Sequence, residues 1–261
     1  MKVQAAIWRS QSLCMATWVF AAWASLQQAS ADQPVLDVAV AANFASAMQM
    51  IAQRFKQESG IRIEYSLGAT GMLESQIEQG APYEILLSAD QKTPQALVAR
   101  KEAIAASEWT YAQGHLVLWS MQPDRVDAHG DVLQLGTFRH LAVANPQTAP
   151  YGAAARQVLQ NLHLYEQLQS RLVQGNSIGQ TWQFVRSGNA ELGFVAQSQL
   201  IRSGELPKGS YWMVPQKLYD PIRQDAVILQ RGAHDPQADR FMHFLQRPDI
   251  RRLIESYGYG P

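Results

Sequence analysis

Residues 34–60 read PVLDVAVAANFASAMQMIAQRFKQESG, and this stretch decides the fold. Residues 34–41 are almost entirely apolar, which is typical of a strand buried in a parallel sheet. The residues that follow place four apolar side chains on one face of a helix, namely Phe44, Met48, Ile51 and Phe55. Gly60 then predicts the end of that helix. A buried strand that runs directly into an amphipathic helix predicts an α/β protein.

The same alternation of strand and helix continues as far as Asp90. We predict strands over residues 61–66 and 83–88, a helix over residues 72–79 between them, and another helix after Asp90. This βαβαβ order predicts a parallel sheet with helices on both faces.

Two long extended stretches, residues 110–120 and 219–230, interrupt this order. We predict that they are crossing strands that join two lobes and form a hinge near 110–120 and 219–230. Strands over 140–144 and 191–195 and helices over 152–162 and 179–186 lie between them and predict a second α/β lobe.

The expected fold is α/β and two-lobed, and each lobe is a mixed sheet flanked by helices. Lobe I comprises residues 32–113 and 225–261, and lobe II, residues 114–224, is inserted in it. Helices over residues 239–246 and 249–256 are expected to pack back on lobe I.

Residues 1–31 have the pattern of a secretory signal peptide. Basic residues occur only before Ser10, and the stretch from Ser10 to Ala31 is uncharged and ends in Ala-Ser-Ala. We therefore predict cleavage after Ala31 and a periplasmic location. An uncleaved membrane anchor is the alternative, but Ser and Gln residues interrupt the apolar run that an anchor needs. The only cysteine, Cys14, lies in this leader, so the mature chain has no disulfide.

Composition excludes several classes of function. The 261-residue chain has 22 Lys and Arg residues and 22 Asp and Glu residues. A net charge of zero provides no basic surface for phosphate backbones, so we expect no nucleic-acid partner. A single cysteine excludes an internal disulfide framework and a thiolate metal cluster.

Catalytic motifs are absent from the sequence. The six histidines show no paired metal spacing, and there is no GxSxG sequence for a hydrolase nucleophile. The glycine-rich residues 68–71 lack the lysine of a phosphate-binding Walker loop. Asp90 follows a strand, where a helix N-cap is a more common role than catalysis. We therefore predict a protein that is not an enzyme.

Four loops share a different pattern, in which small neutral residues stand just before a helix. They are residues 41–43 (AAN), 68–71 (GATG), 149–152 (APYG) and 175–179 (GNSIG). The start of a helix offers free backbone N–H groups and partial positive charge, so it binds anions without a cationic side chain. Each such loop alone is typical of an ordinary helix cap, but two in each lobe predict one shared anion site.

At these loops the chain resembles the periplasmic molybdate-binding proteins that serve ABC transporters. The resemblance covers nearly the whole mature chain. Its most specific features are GAP at 80–82, SAD at 88–90 and the downstream NPQTAPYG at 145–152. Further matching stretches are VAVAANF (38–44), GATG (68–71), NSIGQ (176–180) and LGFVA (192–196). The resemblance implies the type II periplasmic-binding fold, with a tetrahedral oxyanion held between two lobes.

The resemblance also implies particular site residues. Asn43 and Thr70 match side-chain ligands, and Tyr151 and Ile178 match backbone donors, with supporting positions at Ala42, Ala69 and Ser177. Molybdate or tungstate would be bound as an oxyanion through these residues, without a cofactor.

Three positions depart from the pattern of the family. Ala42 stands where some close relatives have a hydroxyl, Thr70 replaces a serine, and Ala196 stands where one branch has a ligand-contacting tyrosine. The resemblance therefore implies an oxyanion site more firmly than it distinguishes molybdate from tungstate.

The expected function is that of an extracytoplasmic solute-binding protein for molybdate or tungstate. Its partners would be the oxyanion and an inner-membrane permease with a cytoplasmic ATPase, and we expect a monomer. A binding protein for sulfate, thiosulfate or phosphate is one alternative. An enzyme acting on a phosphorylated metabolite is another, but the four loops supply no general acid or base.

Overall fold

The structure is a computed structural model that describes residues 35–201 and 208–260. The predicted signal peptide, its cleavage site and Cys14 lie outside the described residues.

The described chain forms two five-stranded mixed sheets of similar design. Sheet I has the strand order β2-β1-β3-β10-β4, and sheet II has the order β7-β6-β8-β5-β9. The strands of sheet I are β1 Val35–Ala41, β2 Arg62–Gly68, β3 Ile85–Leu87, β4 Trp109–Gly114 and β10 Ile222–Ile228. Those of sheet II are β5 Leu116–Ser120, β6 Leu141–Ala144, β7 Leu172–Gly175, β8 Leu192–Ala196 and β9 Ser210–Met213.

Each sheet combines a parallel group with antiparallel strands. In sheet I, β1 pairs in parallel with β2 and β3, and β10 runs antiparallel to β3 and β4. In sheet II, β6 pairs in parallel with β7 and β8, and β5 runs antiparallel to β8 and β9. The prediction of a two-lobed α/β fold with mixed sheets is confirmed. Lobe I below means sheet I with its helices, and lobe II means sheet II with its helices.

The helices of lobe I are α1 Ala45–Ser59, α2 Thr70–Glu78, α3 Lys92–Ala99, α9 Pro236–Gln246 and α10 Pro248–Ser256. Those between β5 and β9 are α4 Val132–Leu135, α5 Pro150–Asn161, α6 Tyr165–Leu168, α7 Ile178–Arg186 and α8 Gln197–Leu200. A 3-10 turn, Ala42–Phe44, joins β1 to α1. Gly60 ends α1 in the left-handed conformation, with φ of 76°.

Apolar side chains fill both faces of each sheet. Phe44, Met48, Ile51 and Phe55 are all buried, as their helical spacing predicts. A separate apolar cluster joins the two lobes, since it includes Ala41 and Ala69 from lobe I together with Tyr151 and Ile178 from lobe II.

The chain passes between the sheets twice. Residues 110–120 do not form one strand, because β4 ends at Gly114 in sheet I and β5 begins at Leu116 in sheet II. The return passage runs from Met213 to Ile222 and contains a 3-10 turn, Gln216–Leu218. The sequence analysis did not anticipate β7 or β9, which are only four residues long each. Among the described residues, none of the helices has both the length and the apolarity needed to cross a membrane.

Candidate functional site

The four small-residue loops follow pairs of neighbouring parallel strands. In sheet I the last residues of β1 and β2, Ala41 and Gly68, are register partners. In sheet II the last residues of β6 and β7, Ala144 and Gly175, are register partners as well. Each pair of loops therefore begins side by side at the carboxyl edge of its sheet, which is where ligand crevices form in α/β proteins.

Each predicted site residue lies at or next to the start of a helix. Thr70 is the first residue of α2, and Ile178 is the first residue of α7. Tyr151 is the second residue of α5, after Pro150, and Asn43 lies in the turn that leads into α1. The first N–H groups of a helix have no acceptor within the helix, so these positions suit an anion.

The loops of the two lobes contact one another. Gly71 N donates to Thr148 O at 2.9 Å, which joins the second loop to the segment before α5. Ser198 Oγ donates to Asn43 O at 2.9 Å, which joins α8 to the first loop. Gly179 lies so close to the first loop that a Cβ on it would be 3.4 Å from the Cβ of Ala42. The four helix starts therefore belong to one interlobe region.

This region is shielded from solvent. Asn43, Thr70, Tyr151 and Ile178 are respectively 2, 1, 1 and 4% exposed. Of the supporting positions, Ala69 is buried, whereas Ala42 and Ser177 are half-buried. Electrostatic interactions are stronger in such an environment because water does not screen them.

A cavity of about 330 Å³ lies between the lobes beside this region. It is lined by uncharged residues only: Ala42, Asn43, Ala45, Ser46 and Leu67 from lobe I, and Ser177, Gly179, Trp182, Gln183 and Gln199 from lobe II. Of the four predicted ligand residues Asn43 lines it, whereas Thr70, Tyr151 and Ile178 do not. A ligand here would meet amide, hydroxyl and backbone groups rather than a charged side chain.

The hydroxyl of Thr70 has its proton available for a ligand. Thr70 Oγ1 accepts a hydrogen bond from Ala89 N at 3.0 Å. A threonine hydroxyl can accept and donate at the same time, so this contact orients the oxygen and leaves its proton free to be donated.

Ser177 organises the start of α7. Its Oγ accepts from Gln180 N at 3.3 Å, which makes it the N-cap of the helix that begins at Ile178. The cap uses the N–H group of Gln180, so the N–H group of Ile178 remains unpaired within the helix at the positive end of the helix dipole.

The side chain of Asn43 is held by two buried residues that the sequence analysis did not single out. Asn43 Nδ2 donates to Gln224 Oε1 at 2.9 Å and to Tyr259 Oη at 3.0 Å. Tyr259 Oη in turn donates to Asn43 O at 2.9 Å. Asn43 Oδ1 is buried and has no hydrogen-bond partner among the described residues.

Gln224 also connects Asn43 with lobe II. Gln224 Nε2 donates to Tyr151 Oη at 3.2 Å, and Tyr111 Oη lies 3.1 Å from Gln224 Oε1. Burial raises the pKa of the Tyr111, Tyr151 and Tyr259 hydroxyls above their ordinary range, so each keeps its proton at neutral pH.

Asp90 has a structural role. Its Oδ1 accepts from Thr93 N at 2.8 Å, which caps the start of α3, and it contacts Ser88 Oγ at 3.2 Å. Burial raises the pKa of this carboxyl group. The hydrogen bonds to Thr93 and Ser88 support the helix-cap interpretation of Asp90 over a catalytic one.

Ala196 does not provide a side-chain ligand. It is fully buried and stands before α8, where its N–H donates to Gln199 Oε1 at 3.0 Å. Its methyl group cannot replace the tyrosine hydroxyl that one branch of the family has at this position, so donors must come from the other loops.

Comparison with known protein families identifies a match over residues 36–260 to the family described as bacterial extracellular solute-binding protein. The chain is 49% identical over 249 residues to the molybdate-binding protein ModA of Azotobacter vinelandii, covering 95% of this chain and 99% of that protein. It is 47% identical to the molybdate-binding protein ModA of Rhodobacter capsulatus, covering 85% of this chain and 86% of that protein.

A solved structure shares the fold. The periplasmic molybdate-binding protein of Azotobacter vinelandii superimposes with a TM-score of 0.84 at 41% identity, covering 87% of this chain and 99% of that chain. The similarity extends over both lobes and therefore includes all four loops described above.

Proposed function

The chain belongs to the bacterial extracellular solute-binding proteins and, within them, to the group of the molybdate-binding protein ModA, and on this premise we propose its ligand and site. We propose that it binds a tetrahedral oxyanion, molybdate or tungstate, between lobe I and lobe II. The anion is held by the side chains of Asn43 and Thr70 and by the backbone N–H groups of Tyr151 and Ile178.

One observation carries this proposal. Four helix starts from two different sheets contact one another in a buried region, and the cavity beside it, which Asn43 lines, has uncharged residues only. Helix starts attract negative charge, and neutral donors around them suit an anion rather than a cation or an amine.

The binding energy that such a site needs is within reach of neutral donors. Micromolar affinity corresponds to about 8 kcal/mol. A hydrogen bond to a charged group contributes roughly 1.5–3 kcal/mol. The four donors named above would together contribute roughly 6–12 kcal/mol, a range that includes this requirement.

Neutral donors also account for selectivity. A fully deprotonated dianion offers only acceptors and can satisfy every donor of the site. Hydrogen phosphate carries a proton of its own, which would be left without an acceptor in a site made of donors, and that mismatch costs free energy. This reasoning favours molybdate over phosphate as the ligand.

We further propose that the protein acts in the periplasm as a monomer and delivers its anion to a membrane permease driven by a cytoplasmic ATPase. The names of its relatives state molybdate binding and, for the solved structure, a periplasmic location, and both fit this role, as does the predicted signal peptide. Binding and release of an intact anion require no bond to be broken, so the proposed function needs no catalytic residue and no cofactor.

A panel of anions tests the proposal. Purified protein would be melted with sodium molybdate, tungstate, sulfate, thiosulfate or phosphate, because a tightly bound ligand raises the melting temperature by mass action. We expect large increases with molybdate and tungstate only. A larger increase with sulfate, thiosulfate or phosphate would replace our proposed ligand, and no increase with any anion would contradict the oxyanion site itself.

A further inference from the structure

Gln224 lies at the centre of a buried hydrogen-bond network behind Asn43. Its side chain is completely buried on β10, and it contacts Asn43, Tyr111 and Tyr151. Through Tyr151, which belongs to α5 of lobe II, the network links the two lobes.

The backbone around Gln224 is irregular in a way that accommodates this network. Gln224 is the register partner of Ala112, but Asp225 is the partner of Thr110, so Tyr111 is an extra residue that forms a bulge in β4. Bulges change the direction in which side chains point. Here the hydroxyl of the extra residue, Tyr111, reaches Gln224 Oε1 at 3.1 Å.

Gly114 leaves the space that the same network occupies. A Cβ at this position would lie 2.0 Å from Tyr151 Oη and 2.6 Å from Gln224 Nε2. Both distances are far below any allowed contact, so only glycine lets Tyr151 and Gln224 meet beside the passage between the lobes.

The side-chain amides of Asn43 and Gln224 can be oriented in two ways, which differ in how the hydroxyl protons are used. In the arrangement described above, the Tyr111 hydroxyl faces two acceptors, Ser88 O at 3.0 Å and Gln224 Oε1 at 3.1 Å, although it has one proton to donate. The same arrangement directs both N–H groups of Asn43 to Gln224 and Tyr259 and leaves its Oδ1 buried and unpartnered. An amide oxygen facing an anion would repel it.

Exchanging nitrogen and oxygen in both amides leaves the Tyr111 hydroxyl with one acceptor and gives Asn43 Oδ1 hydrogen-bond partners. Gln224 Nε2 then donates to Asn43 Oδ1 and to Tyr111 Oη, and Tyr111 donates to Ser88 O. Tyr151 Oη donates to Gln224 Oε1. Tyr259 Oη donates to Asn43 Oδ1 in place of Asn43 O, which keeps the hydrogen bond from Ser198 Oγ at 2.9 Å. Each hydroxyl proton is used once, and the NH₂ group of Asn43 is left for the ligand.

We propose that Gln224 is a positioning residue that turns the Asn43 amide so that its NH₂ group faces the anion. This inference rests on the proposed function. The two amides must turn together, because Gln224 presents either a donor or an acceptor to Asn43, and Asn43 must present the complementary group. Gln224 thereby makes the site selective for anions that carry no proton.

Two substitutions at this position separate orientation from simple packing. Gln224→Glu keeps the shape but can only accept at neutral to basic pH, and the donors of Tyr111, Tyr151 and Asn43 would keep the new carboxylate ionised. It therefore draws the NH₂ group of Asn43 away from the ligand. Gln224→Met keeps the length but neither donates nor accepts, so it leaves the Asn43 amide free to turn either way.

Calorimetric titration at pH 8.5 with sodium molybdate and with sodium phosphate tests this role. We expect the molybdate affinity to fall by about 10- to 100-fold in Gln224→Glu and by less in Gln224→Met. In Gln224→Glu the oxygen of Asn43 faces the ligand, and hydrogen phosphate can donate its proton to it. The phosphate affinity should therefore fall much less. The molybdate-to-phosphate ratio should therefore drop in Gln224→Glu, which a variant that merely loosens the fold would not produce.

A matched control is Gln113→Glu, which adds the same charge on the neighbouring strand β4, opposite Arg223. It should bind molybdate within about threefold of wild type, because Gln113 is only half-buried and water and salt screen a charge there. Melting curves of all variants establish that they are folded. If Gln224→Glu does not fold, the molybdate-to-phosphate affinity ratio of Gln224→Met tests the role instead, with a smaller expected drop.

Unchanged molybdate affinity, or an unchanged ratio between the anions, would overturn the role of Gln224. A wild-type protein that binds neither anion would overturn the proposed function as well.

Discussion

Asn43 is the residue at which the proposed anion site and the buried hydrogen-bond network meet. It lines the interlobe cavity, and the other side of its side chain contacts Gln224 and Tyr259. A single side chain therefore connects the ligand with β10 and with the C-terminal segment of the chain.

Two substitutions of Asn43 test the sign of the ligand charge. Asn43→Ala should lose one charge-assisted hydrogen bond and weaken molybdate binding by roughly 1.5–3 kcal/mol. Asn43→Asp should weaken it further, because a carboxylate about 4 Å from a unit of negative charge is repelled by about 4 kcal/mol at an effective dielectric constant of 20. Calorimetry should therefore rank the affinities as wild type, then Ala, then Asp.

The Asn43→Asp variant should keep the buried hydrogen-bond network intact, so a loss of binding would not reflect a loss of structure. Its carboxylate can still accept from Tyr259 Oη and from Gln224 Nε2, so the network behind it can be maintained. Molybdate binding by this variant at wild-type affinity would exclude Asn43 as an anion ligand.

Local sequence patterns could identify some residues of the candidate site but not the buried residues that hold them. The loops that contain Asn43 and Thr70 were predicted because small polar residues stand there between a strand and a helix, whereas the two residues themselves were implied by the family resemblance. Gln224 and Tyr259 were not predicted, because their contacts with Asn43 span 181 and 216 residues of chain, and no local pattern marks them. Gln224 stands between Arg223 and Asp225 in β10, so a polar residue there does not look unusual until its partners are known.

At the scale of single elements, the helix starts depend on how closely they approach their strands. A Cβ on Gly152, in the first turn of α5, would lie 2.3 Å from Ala144 O at the end of β6. Glycine at this position lets the helix begin next to the strand end and brings the N–H of Tyr151 to the carboxyl edge of the sheet.

Removing the cap of α7 should loosen one of these helix starts. Ser177→Ala removes the acceptor of Gln180 N, and we expect the free energy of unfolding to fall by about 1 kcal/mol. Molybdate affinity should fall less than in Asn43→Ala, since the backbone donor of Ile178 remains. Thermal melting and calorimetry measure the two effects.

Ser187→Ala is the matched control, because Ser187 lies at the opposite end of α7 and its exposed hydroxyl donates to Gln183 O. It should leave molybdate affinity unchanged. Equal effects of the two substitutions on affinity would argue against a role for the start of α7 in binding.

Glu191 makes the stability of the folded state depend on pH. Burial tends to raise the pKa of this carboxyl group, but hydrogen bonds from His140 N and Arg139 N outweigh burial and hold the pKa below its ordinary value of 4.5. The folded state therefore binds this proton less readily than the unfolded state. The resulting stability is present above pH 4.5 and is lost as the pH falls through the pKa of the folded protein.

Glu191→Gln should therefore be less stable than wild type at pH 7, because an amide accepts from only one of the two N–H groups. We expect this difference to shrink as the pH is lowered from 7 towards 3, and urea unfolding at a series of pH values measures it. A difference that stays constant with pH would show that the carboxylate charge at Glu191 does not contribute.

At the scale of the whole molecule, the sequence predicted the fold class well. The strand followed by a helix at residues 34–60 is present as β1 and α1, and the two-lobed mixed-sheet architecture is confirmed. The strands β7 and β9 were missed because each is four residues long and mixes polar with apolar residues, whereas the equally short β6 is entirely apolar. Residues 110–120 were predicted as one crossing strand because nothing in a local pattern shows that the chain changes sheets at His115.

The two passages between the sheets lead to a prediction about motion. We propose that they act as the hinge between the lobes and that molybdate stabilises the closed arrangement. Small-angle scattering should then show a smaller radius of gyration at saturating molybdate than without it. An equal radius in both states would contradict closure around the ligand.

Anomalous X-ray diffraction from crystals grown with molybdate would show where the anion binds, because it locates the metal atom itself. We expect one strong molybdenum peak in each molecule, enclosed by the helix starts at Asn43, Thr70, Tyr151 and Ile178, with oxygens of the anion within hydrogen-bond distance of all four. A peak outside the interlobe region, or the absence of any peak in crystals of protein saturated with molybdate, would contradict the proposed site.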